Sequence, residues 1–290
     1  MKIFPLFKVS RNLFPSWNYH GKSRNYHFWF SPACRDTEKL KRYVTAENRS
    51  DKILFSTRKR RQVFAIKNAS GSGVIVKKEF LWRHKKNCFH VKDFSYAEVI
   101  NHSGFTPQTY RIPKLYGYFE KRILGLPVEC GLIMEYLPDF RQIRPQEYQQ
   151  IPAVLADLCQ QGYFHGDVNT KNILKCDTTD EFAIIDLQTA CKVPEKSLPH
   201  LIRMAGCFLY STAGMFPGDF DAHCKQDFMN ILYKIIQQKI SPDIPKDVFW
   251  NVLDEVSKYT PWKFIPPEKF EINFQSPQED ATGKSMTQGL

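Results

Sequence analysis

One part of the chain decides the fold: it reads GYFHGDVNTKNIL at residues 162–174 and FAIIDLQ at residues 182–188. The first segment holds the pattern His-x-Asp-x-x-x-x-Asn, formed by His165, Asp167 and Asn172. The second is an apolar run that ends at Asp186, fourteen residues after Asn172. Phosphoryl transfer requires a carboxylate that meets the acceptor hydroxyl, together with an amide and a carboxylate that hold Mg²⁺. The pattern therefore predicts a phosphoryl-transfer site.

A lysine upstream of this stretch fits the same chemistry. Lys77 ends the run Val-Ile-Val-Lys at residues 74–77, which matches the strand whose lysine contacts nucleotide phosphates in kinases. Glu98, on the next predicted helix, is placed to pair with it. Lys78 is the alternative to Lys77, because successive side chains of a strand point to opposite faces. We expect His165 to support the loop by contacting Asp186 rather than to carry a proton.

The hydrophobic pattern divides the chain into a strand-rich part and a helix-rich part. Strands are predicted at residues 53–55, 62–67, 73–80, 113–119 and 131–137, with one helix at 94–103. Helical spacing follows at about 145–162, 198–214, 220–239 and 246–259. The prediction is an α+β chain with two lobes, one an antiparallel five-stranded sheet and one mainly helical. The predicted segments are a basic N-terminal extension (1–50), the sheet lobe (51–137), the helical lobe (138–274) and a disordered tail (275–290).

Positive charge is concentrated at the start of the chain. Residues 1–90 carry 21 Lys and Arg against 5 Asp and Glu, whereas residues 91–290 carry 20 against 25. A surface this basic attracts a polyanion, and nucleotide phosphates, nucleic acid and an anionic lipid surface are all compatible with it. A solvated face that only aids solubility remains the alternative for any single cluster of charges.

The composition excludes several classes of protein. No segment approaches the ~18–20 apolar residues of a membrane-spanning helix. The apolar run at residues 3–7 is broken by Pro5 and is too short for a secretory signal, so we expect the protein inside the cell. The eight cysteines form no Cys-x-x-Cys pair, which indicates reduced thiols. His84, Cys88 and His90 lack a fourth ligand at usable spacing, so no zinc site is expected there.

Residues 52–215 resemble the bacterial lipopolysaccharide core kinases, protein-kinase-like enzymes that phosphorylate Kdo or heptose in the inner core. The segments that carry the resemblance are residues 76–80, 133–137, 165–172 and 184–187. It implies an ATP-dependent kinase with Mg²⁺ as cofactor. By position it makes Asp167 the catalytic base or hydroxyl-orienting group, Asn172 and Asp186 the magnesium ligands, Lys77 the phosphate contact, Glu98 its partner, and the backbone of Glu135 to Leu137 the adenine contact.

The chain departs from protein kinases at several of their motifs. Gly166 stands where an Arg would bind an activation-loop phosphate, and no Ala-Pro-Glu follows at usable distance. These departures indicate that the platform for a peptide substrate is missing. Leu187 and Gln188 replace Phe-Gly after the metal-binding Asp. Residues 56–61, at the place of the glycine-rich loop, contain no glycine, and their hydroxyl and guanidinium groups could hold phosphates instead.

The resemblance therefore implies a sugar hydroxyl of the lipopolysaccharide core as acceptor. The implied partners are the core oligosaccharide or a lipid-linked precursor and an anionic membrane surface, with the protein peripheral on the inner face of the cytoplasmic membrane. Nucleic acid is not an expected partner. Two alternatives stay open: a small-molecule kinase of the aminoglycoside or choline type, which shares His165, Gly166, Asp167 and Asn172, and a catalytically inactive kinase-like binding module.

Overall fold

The structure is a computed structural model that describes residues 14–23, 25–45, 52–58, 61–67, 73–81, 94–215 and 221–257. The predicted tail at 275–290 and the cluster of His84, Cys88 and His90 lie outside these residues. The chain divides into two compact units. The first comprises residues 1–142 and 172–190, and the second comprises residues 143–171 and 191–290.

The first unit is built on an antiparallel sheet with the strand order β1-β2-β6-β7-β5-β4-β3. Among the described residues this sheet has seven strands, so the predicted number of five is wrong. The two additional strands come from the segment predicted as an extension, because β2 pairs with β6 along its whole length and buries four aromatic side chains. The strands are β1 (Asn18–Ser23), β2 (Tyr26–Phe30), β3 (Lys52–Arg58), β4 (Arg61–Lys67), β5 (Gly73–Phe80), β6 (Leu115–Ile123) and β7 (Leu126–Glu135).

Each face of this sheet is packed on a different helix. One face forms a cluster of Phe64, Ile66, Val76, Phe119 and Ile133 with Leu40 and Val44 of α1 (Thr37–Thr45). The other face forms a cluster of Trp29, Tyr118, Leu132 and Met134 with Val99 of α2 (Phe94–Gly104). Because side chains alternate along a strand, Val76 and Lys78 of β5 face α1, whereas Lys77 faces α2.

A second, smaller sheet belongs to the same unit. It has the order β11-β10-β8 and consists of β8 (Phe140–Gln142), β10 (Ile173–Cys176) and β11 (Phe182–Ile184). The sequence prediction assigns residues 172–190 to the helical lobe, whereas the structure groups them with the sheet. The reason is backbone pairing, since β10 pairs with β8 and β11 bonds to the backbone of Arg111.

The second unit is mainly helical. Its helices are α3 (Ile151–Gln160), α4 (Leu198–Met215), α5 (Ala222–Lys239) and α6 (Lys246–Val256), preceded by a 3₁₀ helix (Pro145–Gln150). A short strand, β9 (Tyr163–His165), pairs with β12 (Ala190–Lys192). The Asp221 carboxylate caps α5 by accepting the Cys224 N–H at 2.8 Å, a typical helix start. In the part of the chain that the structure describes, no helix has the length and apolar character needed to cross a membrane, and the cysteines form no disulfide.

Candidate functional site

Lys77 is held by two carboxylates inside the first unit. Its Nζ donates to Oε1 and Oε2 of Glu98 at 2.8 and 3.0 Å and to Oδ1 of Asp186 at 3.1 Å. Burial opposes the charge on Lys77, but the carboxylates of Asp186 and Glu98 outweigh it and raise the pKa of Lys77 above its ordinary value. The fold thus brings three of the predicted site residues together around a charged ammonium.

The neighbouring lysine makes different contacts on the opposite face. Lys78 Nζ donates to the Val44 carbonyl oxygen of α1 at 2.9 Å and lies 3.2 Å from Oε1 of Glu129. The Tyr26 hydroxyl donates to the same Glu129 oxygen at 3.0 Å. Lys78 therefore ties α1 and β7 to β5, and Lys77 is the lysine that pairs with Glu98.

Helix α2 presents three polar side chains that follow one another at intervals of three residues. Ser95 Oγ donates to Oε2 of Glu79 at 3.4 Å, and Glu98 accepts from Lys77. Asn101 Nδ2 donates to the carbonyl oxygens of Leu187 and Gln188 at 3.0 and 2.9 Å. Residues three apart lie on the same side of a helix, so one side of α2 contacts both β5 and the segment after Asp186.

Asp186 adopts an unusual backbone conformation. It follows β11 with φ 64° and ψ 57°, in the left-handed region that side-chain-bearing residues other than Asn and Asp rarely occupy. Its Oδ1 also accepts a hydrogen bond from Gln188 Nε2. Arg61 in turn donates through Nη2 to Oε1 of Gln188 at 3.1 Å and to Oε1 of Glu79 at 2.8 Å. Arg61 thus reaches the Asp186 carboxylate through one intervening side chain.

We refer to Arg61, Lys77, Glu79, Glu98 and Asp186 as the Lys77 cluster. Its two cations and three carboxylates leave one formal negative charge in excess. Burial raises the pKa of Glu98, and Asp186 adds to this rise, so that together they outweigh the opposite effect of Lys77. An excess of negative charge carried by carboxylate oxygens fits a divalent cation such as Mg²⁺.

Asn172 lies beside the residues that precede Asp186. Ile173 of β10 pairs with Ile184 of β11, and the Ile185 N–H donates to the Asn172 carbonyl oxygen at 3.0 Å. An antiparallel hairpin therefore brings residues fourteen apart in sequence to the same end of two strands. The described residues contain no group of three or more His, Cys, Asp or Glu side chains that could hold a metal ion. Mg²⁺ typically takes one or two carboxylates together with phosphate oxygens and water, a requirement that the Asp186 carboxylate meets.

Glu135 and Leu137, the predicted adenine contacts, lie at and just after the end of β7. The Glu135 carboxylate accepts from Nη2 of Arg111 at 2.7 Å and from the backbone N–H of Lys114 at 3.0 Å. Leu137 is 8% exposed, and its carbonyl oxygen accepts the Phe140 N–H at 3.3 Å. The segment is thus fixed by the Glu135 side chain and by a turn after Leu137.

Arg111 links this segment to the strand that leads to Asp186. Besides its ion pair with Glu135, its N–H donates to the Phe182 carbonyl oxygen and its own carbonyl oxygen accepts the Ile184 N–H, both at 3.0 Å. Arg111, Gln188 and Asn101 are positioning residues that the sequence motifs do not indicate. Gln188 stands beside the motif and could have been found there, whereas Arg111 has no local signal.

Asp167 lies in the second unit, half-buried in the loop after β9. Its backbone N–H donates to Nδ1 of His165 at 3.2 Å. Asn169 Nδ2 donates to the Asp167 carbonyl oxygen at 3.1 Å and lies 3.4 Å from Oδ1 of the Asp167 carboxylate. The Cys207 thiol contacts the Gly166 carbonyl oxygen at 3.9 Å. These contacts fix the loop, and Asn169 is a supporting residue that the spacing pattern did not single out.

Comparison with solved structures identifies a protein that shares the fold of this chain. No family model and no curated protein matches the chain. Among solved structures, the amicoumacin kinase hAmiN in complex with AMP-PNP, Ca²⁺ and Ami is similar with a TM-score of 0.54 at 12% identity, over 86% of this chain and 90% of that one. WaaP in complex with acyl carrier protein gives a TM-score of 0.42 at 14% identity, over 71% and 87%, a likeness too slight to carry an inference. The predicted resemblance to kinases of this kind is confirmed at the level of the fold.

Proposed function

We propose that this protein is an ATP-dependent kinase that phosphorylates a sugar hydroxyl, of Kdo or heptose, in the inner core of lipopolysaccharide. The observation that carries the kinase assignment is the buried ammonium of Lys77, held by Glu98 and Asp186. This arrangement is the one that phosphoryl transfer requires of a nucleotide-binding lysine and a metal-binding carboxylate. The kinase fold supports the same assignment.

Each residue has a separate task in this proposal. Lys77 contacts the α- and β-phosphates, and Glu98 fixes the position of its ammonium. Asp186 and Asn172 are the protein ligands of Mg²⁺, and the backbone of Glu135 to Leu137 meets the adenine. When bound, ATP and Mg²⁺ supply the phosphoryl group and the neutralising charge for its transfer.

Asp167 is proposed to orient the acceptor hydroxyl and to receive its proton. This role rests on the spacing of Asp167 and Asn172 in the sequence. The contacts of His165 and Asn169 with the backbone of Asp167 support it, since they hold the loop in one conformation. Orientation of this kind contributes to the rate because the reacting groups are already aligned.

The proposed acceptor follows from the charge of the chain and from the motifs that it lacks. Gly166 and the absence of Ala-Pro-Glu argue against a peptide substrate. The net charge of +16 over residues 1–90 fits an anionic core oligosaccharide or lipid-linked precursor at the inner face of the cytoplasmic membrane. Peripheral membrane association is part of the same proposal.

The test is phosphate incorporation from ATP into purified core lipopolysaccharide. Asp186→Asn should reduce it about 100-fold or more, because Asn keeps the backbone conformation but loses the metal-binding charge. Asp177→Asn is the matched control, since Asp177 is an exposed carboxylate next to β10 that pairs with Arg141. Equal incorporation by wild type and Asp186→Asn would refute the assignment.

A second candidate acceptor is a soluble small molecule. The observation that favours it is the likeness to the amicoumacin kinase over 86% of the chain. Screening soluble amino alcohols against deacylated core oligosaccharide separates the two. Turnover confined to the amino alcohols would overturn the proposed acceptor but leave the kinase assignment in place. Absence of ATP turnover with either class of acceptor would favour the inactive binding module.

A further inference from the structure

The turn between β6 and β7 exposes three aliphatic side chains at one point of the surface. Ile123 is 49% exposed, Leu124 is 90% exposed and Leu126 is 40% exposed. Ile123 pairs with Leu126 in the ladder, which leaves Leu124 and Gly125 as a two-residue turn. We refer to residues 123–126 as the hairpin tip.

The residue at the first turn position is unfavourable for folding. Leu124 and Gly125 have φ values of 49° and 80°, and a two-residue hairpin turn with both values positive strongly prefers Asn-Gly or Asp-Gly. A branched apolar residue such as Leu is rare in this conformation. Leu124 therefore brings backbone strain and solvent exposure together. Sites where a sequence breaks a local folding rule in this way are often functional.

The hairpin tip projects beyond the strands on either side of it. β5 ends at Phe80, which is paired with Glu129, and β2 begins at Tyr26, which is paired with Lys121. The last two pairs of the β6–β7 ladder lie beyond both positions. At about 3.4 Å per residue, the tip extends about 10 Å past the end of β5.

One positive charge is in excess at the base of the hairpin tip. Lys121 and Arg122 are flanked by Glu120 and Glu129, but Arg122 pairs with Glu120 and Lys78 pairs with Glu129, which leaves the charge of Lys121 in excess. Arg122 supports the turn, because its Nη1 donates to the Gly125 carbonyl oxygen at 3.0 Å and its Nε to Oε2 of Glu120 at 2.8 Å. Lys121 lies over the ring of Tyr26, 5.3 Å from its centroid. A projecting apolar group with the cation of Lys121 behind it matches the boundary between acyl chains and anionic headgroups.

We propose that the hairpin tip inserts into the surface of an anionic lipid bilayer and is the element that anchors the protein there. The inference rests on the membrane association included in the proposed function and makes no use of the phosphoryl-transfer chemistry. A protein partner fits the hairpin tip less well, because a stable protein interface buries about 800 Å² on each side. Binding to a bilayer has no such minimum area, and its strength scales with the apolar area that inserts and with the attraction of cations to anionic lipids.

Leu124→Asn tests the proposal without disturbing the turn, since Asn-Gly is the preferred sequence for it. The measurement is cosedimentation of the full chain with vesicles of phosphatidylcholine, with and without phosphatidylglycerol. The substitution should weaken binding to the anionic vesicles about tenfold or more, and thermal stability should stay the same or increase. Ile100→Gln is the matched control, because Ile100 is a 48% exposed aliphatic residue on α2 and its loss should leave vesicle binding unchanged.

Leu124→Trp gives an independent measurement, since its fluorescence should shift to shorter wavelength when anionic vesicles are added. Equal vesicle binding by Leu124→Asn and wild type, or no fluorescence shift of the Trp, would overturn the proposal and leave the hairpin tip to a protein partner. An equal loss of binding in Ile100→Gln would overturn it as well. ATP turnover with a soluble acceptor, measured without vesicles, reports on the kinase separately, so that a failure of one proposal is distinguished from a failure of the other.

Discussion

Replacing Glu98 by Gln removes one negative charge from the Lys77 cluster and leaves the shape of the side chain almost unchanged. Glu98 is 2% exposed and accepts two hydrogen bonds from Lys77 Nζ. Gln keeps one acceptor oxygen, but its amide NH₂ cannot accept from an ammonium. The Asp186 carboxylate, 3.1 Å from Nζ, then becomes the main anionic partner of Lys77.

The expected loss of activity follows from this one interaction. A hydrogen bond to a charged group contributes about 1.5–3 kcal/mol. If that energy fixes the ammonium for contact with the phosphates, kcat/KM for ATP should fall about 10- to 100-fold. The free energy of unfolding should fall by only about 1–2 kcal/mol, less than the about 3–5 kcal/mol typical of a broken buried pair, because Lys77 keeps Asp186.

Glu129→Gln is the matched control, because it makes the same chemical change in the carboxylate that pairs with Lys78, on the opposite face of β5 from Lys77. Glu129 is 6% exposed and lies 3.2 Å from the ammonium of Lys78. Its replacement should lower the free energy of unfolding, measured with urea, by about 1–3 kcal/mol. Because Lys78 contacts α1 and not α2, kcat/KM should change less than about twofold. Both proteins are assayed for turnover under conditions in which they are fully folded.

Two results would contradict this prediction: an equal fractional loss of kcat/KM in both variants, or full turnover by Glu98→Gln. Either result would mean that the contact of Lys77 with Glu98 is a structural ion pair with no part in nucleotide chemistry.

Further predictions concern other parts of the site and the fold. Asp186→Ala should be less stable than Asp186→Asn by about 1 kcal/mol in urea unfolding, because Asn tolerates a φ of 64° better; equal values would contradict the backbone argument. Gln188→Ala should weaken binding of ATP with Mg²⁺ about tenfold by calorimetry, since it frees the Asp186 carboxylate from its orienting donor; an unchanged Kd would exclude this role. The pKa of Lys77 is raised above 10.5, so its contribution to stability is complete below pH 10.5 and is lost as the pH rises through the folded-state pKa. Urea titrations at alkaline pH should therefore show a loss of stability in the wild type, and this loss should be smaller in Lys77→Met. Identical dependence of the free energy of unfolding on pH in the two proteins would contradict the raised pKa of Lys77. Gly162→Ala should cost about 1–2 kcal/mol, because φ is 73° and the new Cβ would lie 2.9 Å from the Val193 carbonyl oxygen, whereas Gly104→Ala, which meets open space, should be neutral by thermal unfolding.

The elements that short-range patterns specify were predicted correctly. The strands β3 to β7 and the helix α2 lie where the spacing of apolar residues places them, and so do the helices of the second unit. The region predicted as a single helix at 145–162 is a 3₁₀ turn followed by α3. Two prolines explain the division, since Pro145 and Pro152 stand at the first turns of the two helices.

The strands β1 and β2 were not predicted because their formation depends on pairing with β6, which is distant in sequence. Residues 18–30 are rich in aromatic and basic residues and lack a clear alternation. β2 becomes a strand by pairing with β6, about ninety residues later in the chain, and Trp29 is buried in the cluster on the face of the sheet that packs on α2. Pairing of this kind leaves little signal in a local window.

The sequence by itself determined which residues are proposed for the chemistry, because Lys77, Glu98, Asp167, Asn172 and Asp186 stand in motifs whose spacing is set by single strands, turns and one helix. Only the tertiary structure decided which lysine pairs with Glu98, since that depends on which face of β5 packs against α2. It also decided that Arg61 contacts Gln188, 127 residues away, and that Arg111 joins the end of β7 to β11. Such contacts arise from the packing of elements far apart in the chain, and local patterns of residues do not contain that information.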